Sequence, residues 1–118
     1  MNRDYASLFP RVLEALYPDK VERARVMKVL SSYGAESYHR EQDRVFLGVL
    51  KLVSAEPGML EEYTQLACED YRDLLCAAEY PLTSRRFGLR EKDPKRYQKL
   101  EEKETREYDD WLSRALST

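Results

Sequence analysis

Apolar residues recur along the chain at the spacing of helices, and no segment gives a convincing strand. The first stripe follows the i, i+3, i+4 pattern of an amphipathic helix and consists of Tyr5, Leu8, Phe9, Val12, Leu13, Leu16 and Tyr17. A second helix is predicted to begin at Asp19, because Glu22 three residues later completes a capping-box pattern. Gly34 is well placed to end this second helix.

Two longer helices are predicted in the middle of the chain. The third begins at Ser37 or Arg40 and ends at Ser54. Its apolar face is the widest of all and is formed by Val45, Phe46, Val49, Leu50, Leu52 and Val53. A turn at residues 56–58 leads into a fourth helix over residues 59–78. Pro81 ends this region, because proline disfavours helical geometry at the residue before it.

One carboxylate of the predicted fourth helix, Asp70, points toward the apolar side. At 100° per residue it projects only about 40° from the middle of that helix's apolar stripe. A buried carboxylate needs a partner, because an isolated charge is strongly disfavoured in a core. Antiparallel packing would bring the start of the third helix near the end of the fourth. We therefore predict a polar cluster between these two helices.

The residues of this cluster have two interpretations. As a site, it would have His39, Asp70 and Glu79 as candidate catalytic residues, with His39 as general base or ligand. The candidate ligand- or anion-binding residues of that site are Arg40, Arg44, Tyr71 and Arg72. As a fastener, the same side chains would form a salt-bridge and hydrogen-bond network that fixes the helix packing. The structural network is the favoured interpretation, because a single histidine provides few groups for catalysis.

The C-terminal part of the chain is predicted to be a charged helical arm. Residues 82–92 form a linker with a positive bias, and Asp93-Pro94 has the form of an N-cap followed by N1. The arm carries a sparse apolar stripe, interrupted by Glu104, that consists of Tyr97, Leu100, Tyr108, Trp111, Leu112 and Ala115. This stripe can pack on the body, or it can bind another subunit or partner through an interaction face of Tyr108, Trp111 and Leu112.

These elements predict an all-α fold of one domain. It has a compact bundle of four helices at residues 1–81, the linker at 82–92 and a charged C-terminal amphipathic helix at 93–118. A length of 118 residues and a hydrophobic fraction of 42% suit a single domain with a real core. A net charge of −2 provides no basic field, so we expect no nucleic-acid partner.

Neither a membrane nor a metal is expected. No apolar run is long enough for a transmembrane helix, and the N-terminus lacks the form of a secretory signal. Cys68 and Cys76 would lie about 12 Å apart along one helix, too far for a disulfide. Free thiols favour a cytoplasmic protein. A single histidine and the lack of a close cysteine pair predict no metal site, and we expect no cofactor.

Two stretches carry a resemblance. Residues 32–41 read SYGAESYHRE and residues 70–81 read DYRDLLCAAEYP. With the residues between them, they resemble a group of short uncharacterised bacterial proteins sharing the pattern SYGxExYHRE…DYRDxLxxAEYP. The resemblance spans about residues 25–81, and no activity is known for that group. It implies a bacterial cytoplasmic protein.

Together these observations predict a non-enzymatic protein-interaction or adaptor module. Its partner would be an unknown protein or a second copy of the chain in a homo-oligomer. The alternative is a small enzyme or ligand-binding protein that uses the His/Arg/carboxylate cluster between the third and fourth helices. A closed cluster with every polar atom paired favours the module, whereas a concave pocket with His39 open to solvent favours the alternative.

Overall fold

A computed structural model describes residues 3–86 and 88–117 of the chain. Its helices are α1 (Tyr5–Leu16), α2 (Lys20–Leu30), α3 (Gln42–Ala55), α4 (Leu60–Glu69), α5 (Tyr71–Glu79), α6 (Leu89–Lys92) and α7 (Pro94–Leu116). A short 3-10 turn spans Thr83–Arg85. The described residues contain no strand, which confirms the all-α prediction. They contain seven α-helices, so the predicted body of four helices with one arm was too simple.

Aspartates start four of these helices. Asp4, Asp19, Asp70 and Asp93 each accept a hydrogen bond from a backbone amide in the first turn of α1, α2, α5 and α7, respectively. A side-chain oxygen at this position satisfies an amide that has no partner within the helix. The predicted helix starts at Asp19 and Asp93 are therefore confirmed.

The core is built around α3, which contacts α1, α4 and α5. Its buried residues are Val45, Phe46, Leu47, Gly48, Val49, Leu50 and Val53. Gly48 lies where α3 approaches α5 most tightly: a Cβ atom on it would lie 3.0 Å from Leu74 Cδ1 and 3.2 Å from Ala78 Cβ. The missing side chain lets the two helices pack close together.

The predicted fourth helix over residues 59–78 is two helices. Asp70 has an extended backbone (φ −156°, ψ 96°) between α4 and α5, and its side chain accepts a hydrogen bond from Arg72 N at 3.0 Å. An aspartate competes well for nearby backbone amides, so it starts a new helix here and does not continue the old one. The third helix also begins later than predicted, at Gln42, and this leaves His39 and Arg40 in a loop.

The helical arm, α7, packs on the chain's own body. It contacts α1 and α5, and the Trp111 indole N–H donates to Ser54 Oγ at 3.2 Å. Tyr108, Trp111 and Leu112 are all buried within this one chain. Of the two alternatives predicted for this stripe, packing on the body is the one that the structure shows, so the candidate interaction face of Tyr108, Trp111 and Leu112 is covered by the chain itself. The predicted linker also carries structure, namely the 3-10 turn and α6.

None of the helices among the described residues is both long enough and apolar enough to cross a membrane.

Candidate functional site

The structure divides the predicted polar cluster into two. One part, the buried seam, comprises Arg44 and Glu79 with Arg3, Lys51 and Tyr108, and it lies where α1, α3, α5 and α7 meet. The other part, the surface depression, is lined by Tyr38, His39, Ala67, Cys68, Glu69, Asp70, Tyr71 and Arg72. Arg40 belongs to the loop beside this depression, and its side chain is exposed.

The ion pair of the buried seam is a two-pronged one between α3 and α5. Arg44 donates from Nη2 to Glu79 Oε1 at 2.6 Å and from Nε to Oε2 at 2.9 Å. Its third group, Nη1, donates to the exposed carboxylate of Glu41 at 3.0 Å. The hydrogen bond to Glu79 raises the pKa of Arg44 despite the opposing effect of burial. Both oxygens of Glu79 are occupied and its side chain is only 3% exposed, so it fastens helices and cannot meet a substrate.

An aromatic ring and two further cations complete the seam. The Arg3 guanidinium lies 4.3 Å from the centre of the Tyr108 ring, and Arg3 Nε donates to Asp109 Oδ1 at 2.9 Å. The Lys51 ammonium lies 6.0 Å from the same ring, and burial lowers the pKa of Lys51. Burial also raises the pKa of Tyr108, whose hydroxyl finds no hydrogen-bond partner among the described residues.

Sequence reasoning missed Arg3 and Lys51 and gave no role to Glu104. The Glu104 carboxylate is buried and accepts hydrogen bonds from Leu82 N and Thr83 N, both at 2.9 Å, and from the Thr83 hydroxyl. It anchors the 3-10 turn to α7. The interruption of the apolar stripe at Glu104 was the available signal, since a charge on a buried face requires partners. Nothing in the sequence marks Arg3 or Lys51.

The loop before α3, residues 33–41, is held by an interior tyrosine. The hydroxyl of Tyr33 donates to Arg40 O at 2.5 Å and accepts from Arg40 N at 2.9 Å, while its ring is buried. Gly34 has a φ of +103° and lies against the Gln42 side chain, so only glycine fits there. The loop is therefore a fixed structure, although it contains no helix or strand.

His39 closes this loop from the side of the depression. Its ring stacks on Tyr33 with centroids 4.4 Å apart. Its Nδ1 accepts hydrogen bonds from two backbone amides, Gly34 N at 2.7 Å and Glu36 N at 3.3 Å. Two donors at Nδ1 assign the neutral tautomer that carries its proton on Nε2. No described residue accepts a hydrogen bond from that Nε2–H, which is not fully buried, and His39 is one of the residues that line the depression.

This tautomer conflicts with the predicted role of His39 as general base. A base acting at Nε2 needs a free electron pair there, which would move the proton to Nδ1. That proton would then face the amide hydrogens of Gly34 and Glu36. His39 is consequently a structural acceptor on one edge and a hydrogen-bond donor on the other.

The depression is open and small, with a volume of about 230 Å³. That is below the usual range of about 300–1,000 Å³ for small-molecule pockets. Asp70 and Arg72 lie on its rim as a loose pair, with Arg72 Nε 3.8 Å from Asp70 Oδ1. Tyr38 is 65% exposed and packs edge-on against His39, with centroids 4.8 Å apart. The structure thus brings His39, Asp70, Tyr71 and Arg72 together as predicted and places Arg44 and Glu79 elsewhere.

Metal-ligating groups do not converge within the described residues: no three of the His, Cys, Asp and Glu side chains there could hold one ion. Cys68 is half-buried and Cys76 is exposed, and both are free thiols. Compared with family models, with curated proteins and with solved structures, the chain gives no match.

Proposed function

We propose that the protein is a non-enzymatic protein-interaction module whose contact surface is the rim of the surface depression, formed by Tyr38, His39 and Arg72. The observation that carries this proposal is the exposure of Tyr38. An aromatic side chain that is 65% exposed projects from a loop whose backbone is fixed by Tyr33 and His39. Tyrosine and arginine are enriched among the residues that dominate binding energy at protein interfaces.

The rim is organised before a partner arrives. Tyr38 stands on a loop tied by hydrogen bonds, so little conformational freedom is lost when it is covered. The Nε2–H of His39 and the Arg72 guanidinium, whose side chain is 79% exposed, offer hydrogen-bond donors beside it. The surface suits a protein segment that places an apolar side chain in the depression and a carbonyl or carboxylate over His39 and Arg72.

The criterion of a closed or an open cluster gives a divided answer. The Arg44–Glu79 part is closed and paired, as the module requires, whereas His39 lines an open depression. The open part supports the alternative of a small enzyme or ligand-binding protein. That alternative is weakened by the loss of Arg44 and Glu79 to the buried seam and by the tautomer of His39. We place the module in the cytoplasm of a bacterial cell, on the basis of its two free thiols and of the sequence resemblance.

Photo-crosslinking tests the proposed surface. A photoreactive phenylalanine analogue replaces Tyr38 in one variant and Val21 in a matched control, since Val21 is 80% exposed but is absent from the lining of the depression. Each variant is irradiated in extract of the source cells with excess unlabelled competitor. The proposal expects a discrete protein adduct at position 38 only, removed by wild-type competitor and retained with an Arg72→Glu competitor.

The Tyr38→Ala variant gives the expected size of the effect on binding, and the crosslinking results can also contradict the proposal. Tyr38→Ala is expected to weaken the competed complex about 30-fold, as for a residue worth about 2 kcal/mol. It should change the free energy of unfolding by less than about 0.5 kcal/mol. An adduct of twice the chain mass identifies a second copy as the partner. Equal adducts at positions 21 and 38, or adducts with small molecules alone, would overturn the proposal.

A further inference from the structure

We propose that the interaction surface is switched by acid: protonation of His39 releases the loop of residues 34–39 and withdraws Tyr38 from the rim. The effect on a partner rests on the proposed function, whereas the release of the loop does not. The inference starts from the two backbone amides that point at one ring nitrogen, Gly34 N at 2.7 Å and Glu36 N at 3.3 Å from His39 Nδ1.

Protonation turns that arrangement from attraction to repulsion. A neutral imidazole can accept at Nδ1, but an imidazolium carries a hydrogen on both nitrogens and accepts nothing. The new Nδ1–H would face the N–H groups of Gly34 and Glu36. Both hydrogen bonds would be lost, and the amides would have to find water. Since the amides and the ring nitrogen belong to the same short loop, the only relief is movement of the loop or of the ring.

Tyr38 moves with this event because its position depends on the imidazole. Its ring packs edge-on against His39, which also stacks on the ring of Tyr33. The bonds between the Tyr33 hydroxyl and the backbone of Arg40 involve no histidine, so they persist. Release is thus confined to the residues between these two anchors, and the start of α3 stays in place. Within that segment one backbone bond, from His39 N to Glu36 O at 3.1 Å, does not depend on the ring.

Charged groups of both signs surround His39. The titratable and charged groups around His39 are Tyr33, Glu36, Tyr38 and Arg40 from its own segment and Cys68, Glu69, Asp70, Tyr71 and Arg72 across the depression. Three of these groups are carboxylates and two are arginines, so the direction of the switch rests on the two amides at Nδ1. The direction follows: the closed loop persists while His39 is neutral and is lost as the pH falls.

Amide and ring signals in nuclear magnetic resonance spectra test the switch on the isolated chain. His39 is the only histidine, so its ring signals are unambiguous. Over a titration from about pH 8 to pH 5, the amide signals of Gly34 and Glu36 should shift with the same midpoint as the ring. Their protection from hydrogen exchange should fall about tenfold or more after correction for pH. The amide of Gly58, in another turn, should not follow that midpoint.

A second variant separates the switch from general acid effects. His39→Gln has no titrating group at this position, so its Gly34 and Glu36 signals should show no transition over the same interval. Ring titration without any response of these two amides overturns the inference, as does a ring that stays neutral to pH 5. These spectra need no partner, so the loop can be judged even if the interaction surface is refuted. A Tyr38 crosslink of equal yield at pH 8 and pH 5, with the loop released, overturns the link to binding.

Discussion

The buried seam and the surface depression contain the same kinds of polar side chain but pair them differently. In the seam, both carboxylate oxygens of Glu79 accept hydrogen bonds from the Arg44 guanidinium, so the carboxylate is not available to another molecule. In the depression, His39 and Asp70 each accept hydrogen bonds from backbone amides, and both still line the surface. A charge paired with a charge thus fixes the packing of helices. His39 and Asp70, paired with the backbone, fix a loop and a helix start and still line a surface.

The largest effect is expected from breaking the seam. Glu79→Ala should lower the free energy of unfolding by about 3 kcal/mol, because Arg44 then loses both of its buried contacts. Urea denaturation measures the change. Glu41→Ala is the control, since it removes the exposed partner of the same guanidinium and should cost less than about 1 kcal/mol. Equal losses in the two variants would mean that burial is not what distinguishes the seam.

A smaller loss is expected at the depression. Asp70→Ala removes the cap of α5 and should cost about 1 kcal/mol, the usual value for an N-cap. Asp73→Ala, at an exposed position in the first turn of the same helix, should stay within about 0.5 kcal/mol of wild type. A loss of about 3 kcal/mol or more at Asp70 would restore the interpretation in which this carboxylate belongs to a buried ionic cluster. Thermal unfolding followed by circular dichroism is sufficient.

The smallest effect, and one of opposite sign, is expected within the seam itself. Tyr108→Phe removes a buried hydroxyl that has no partner among the described residues, so stability should be unchanged or increase by up to about 1 kcal/mol. Tyr33→Phe is the matched control: its hydroxyl makes two hydrogen bonds to Arg40, and their loss should be destabilising. If Tyr108→Phe proves clearly destabilising in urea, a water molecule bridges that hydroxyl to the surrounding charges.

Much of the fold was predictable because it depends on local signals. The aspartate caps at Asp19 and Asp93 and the apolar face of α3 are read directly from neighbouring residues. The break at Asp70 was not, because the 100° rule used to place its side chain assumes an unbroken helix. Whether an aspartate interrupts a helix or starts one depends on the packing of both halves, and α4 and α5 each bury their own residues against α3.

The site was predictable only as a neighbourhood. Sequence spacing brought His39, Asp70, Tyr71 and Arg72 together correctly, because the two middle segments do pack side by side. It could not reveal that the amides of Gly34 and Glu36 donate hydrogen bonds to His39 Nδ1. Every residue except proline has a backbone N–H, so the sequence does not show which amide will be a donor. Sequence spacing likewise assigned Glu79 to the site. In the structure, Arg44 on α3 pairs with Glu79 and this carboxylate is buried.

The missing side chain at Gly48 has a consequence for the ion pair one turn away. Alanine would favour the helix by about 1 kcal/mol, yet its methyl group would press on Leu74 and Ala78 and widen the gap between α3 and α5. Arg44 precedes Gly48 by one turn, and Glu79 directly follows Ala78. A methyl group at position 48 would thus weaken the Arg44–Glu79 ion pair without contacting it. The close packing of α3 on α5 and the ion pair between them therefore depend on the same glycine.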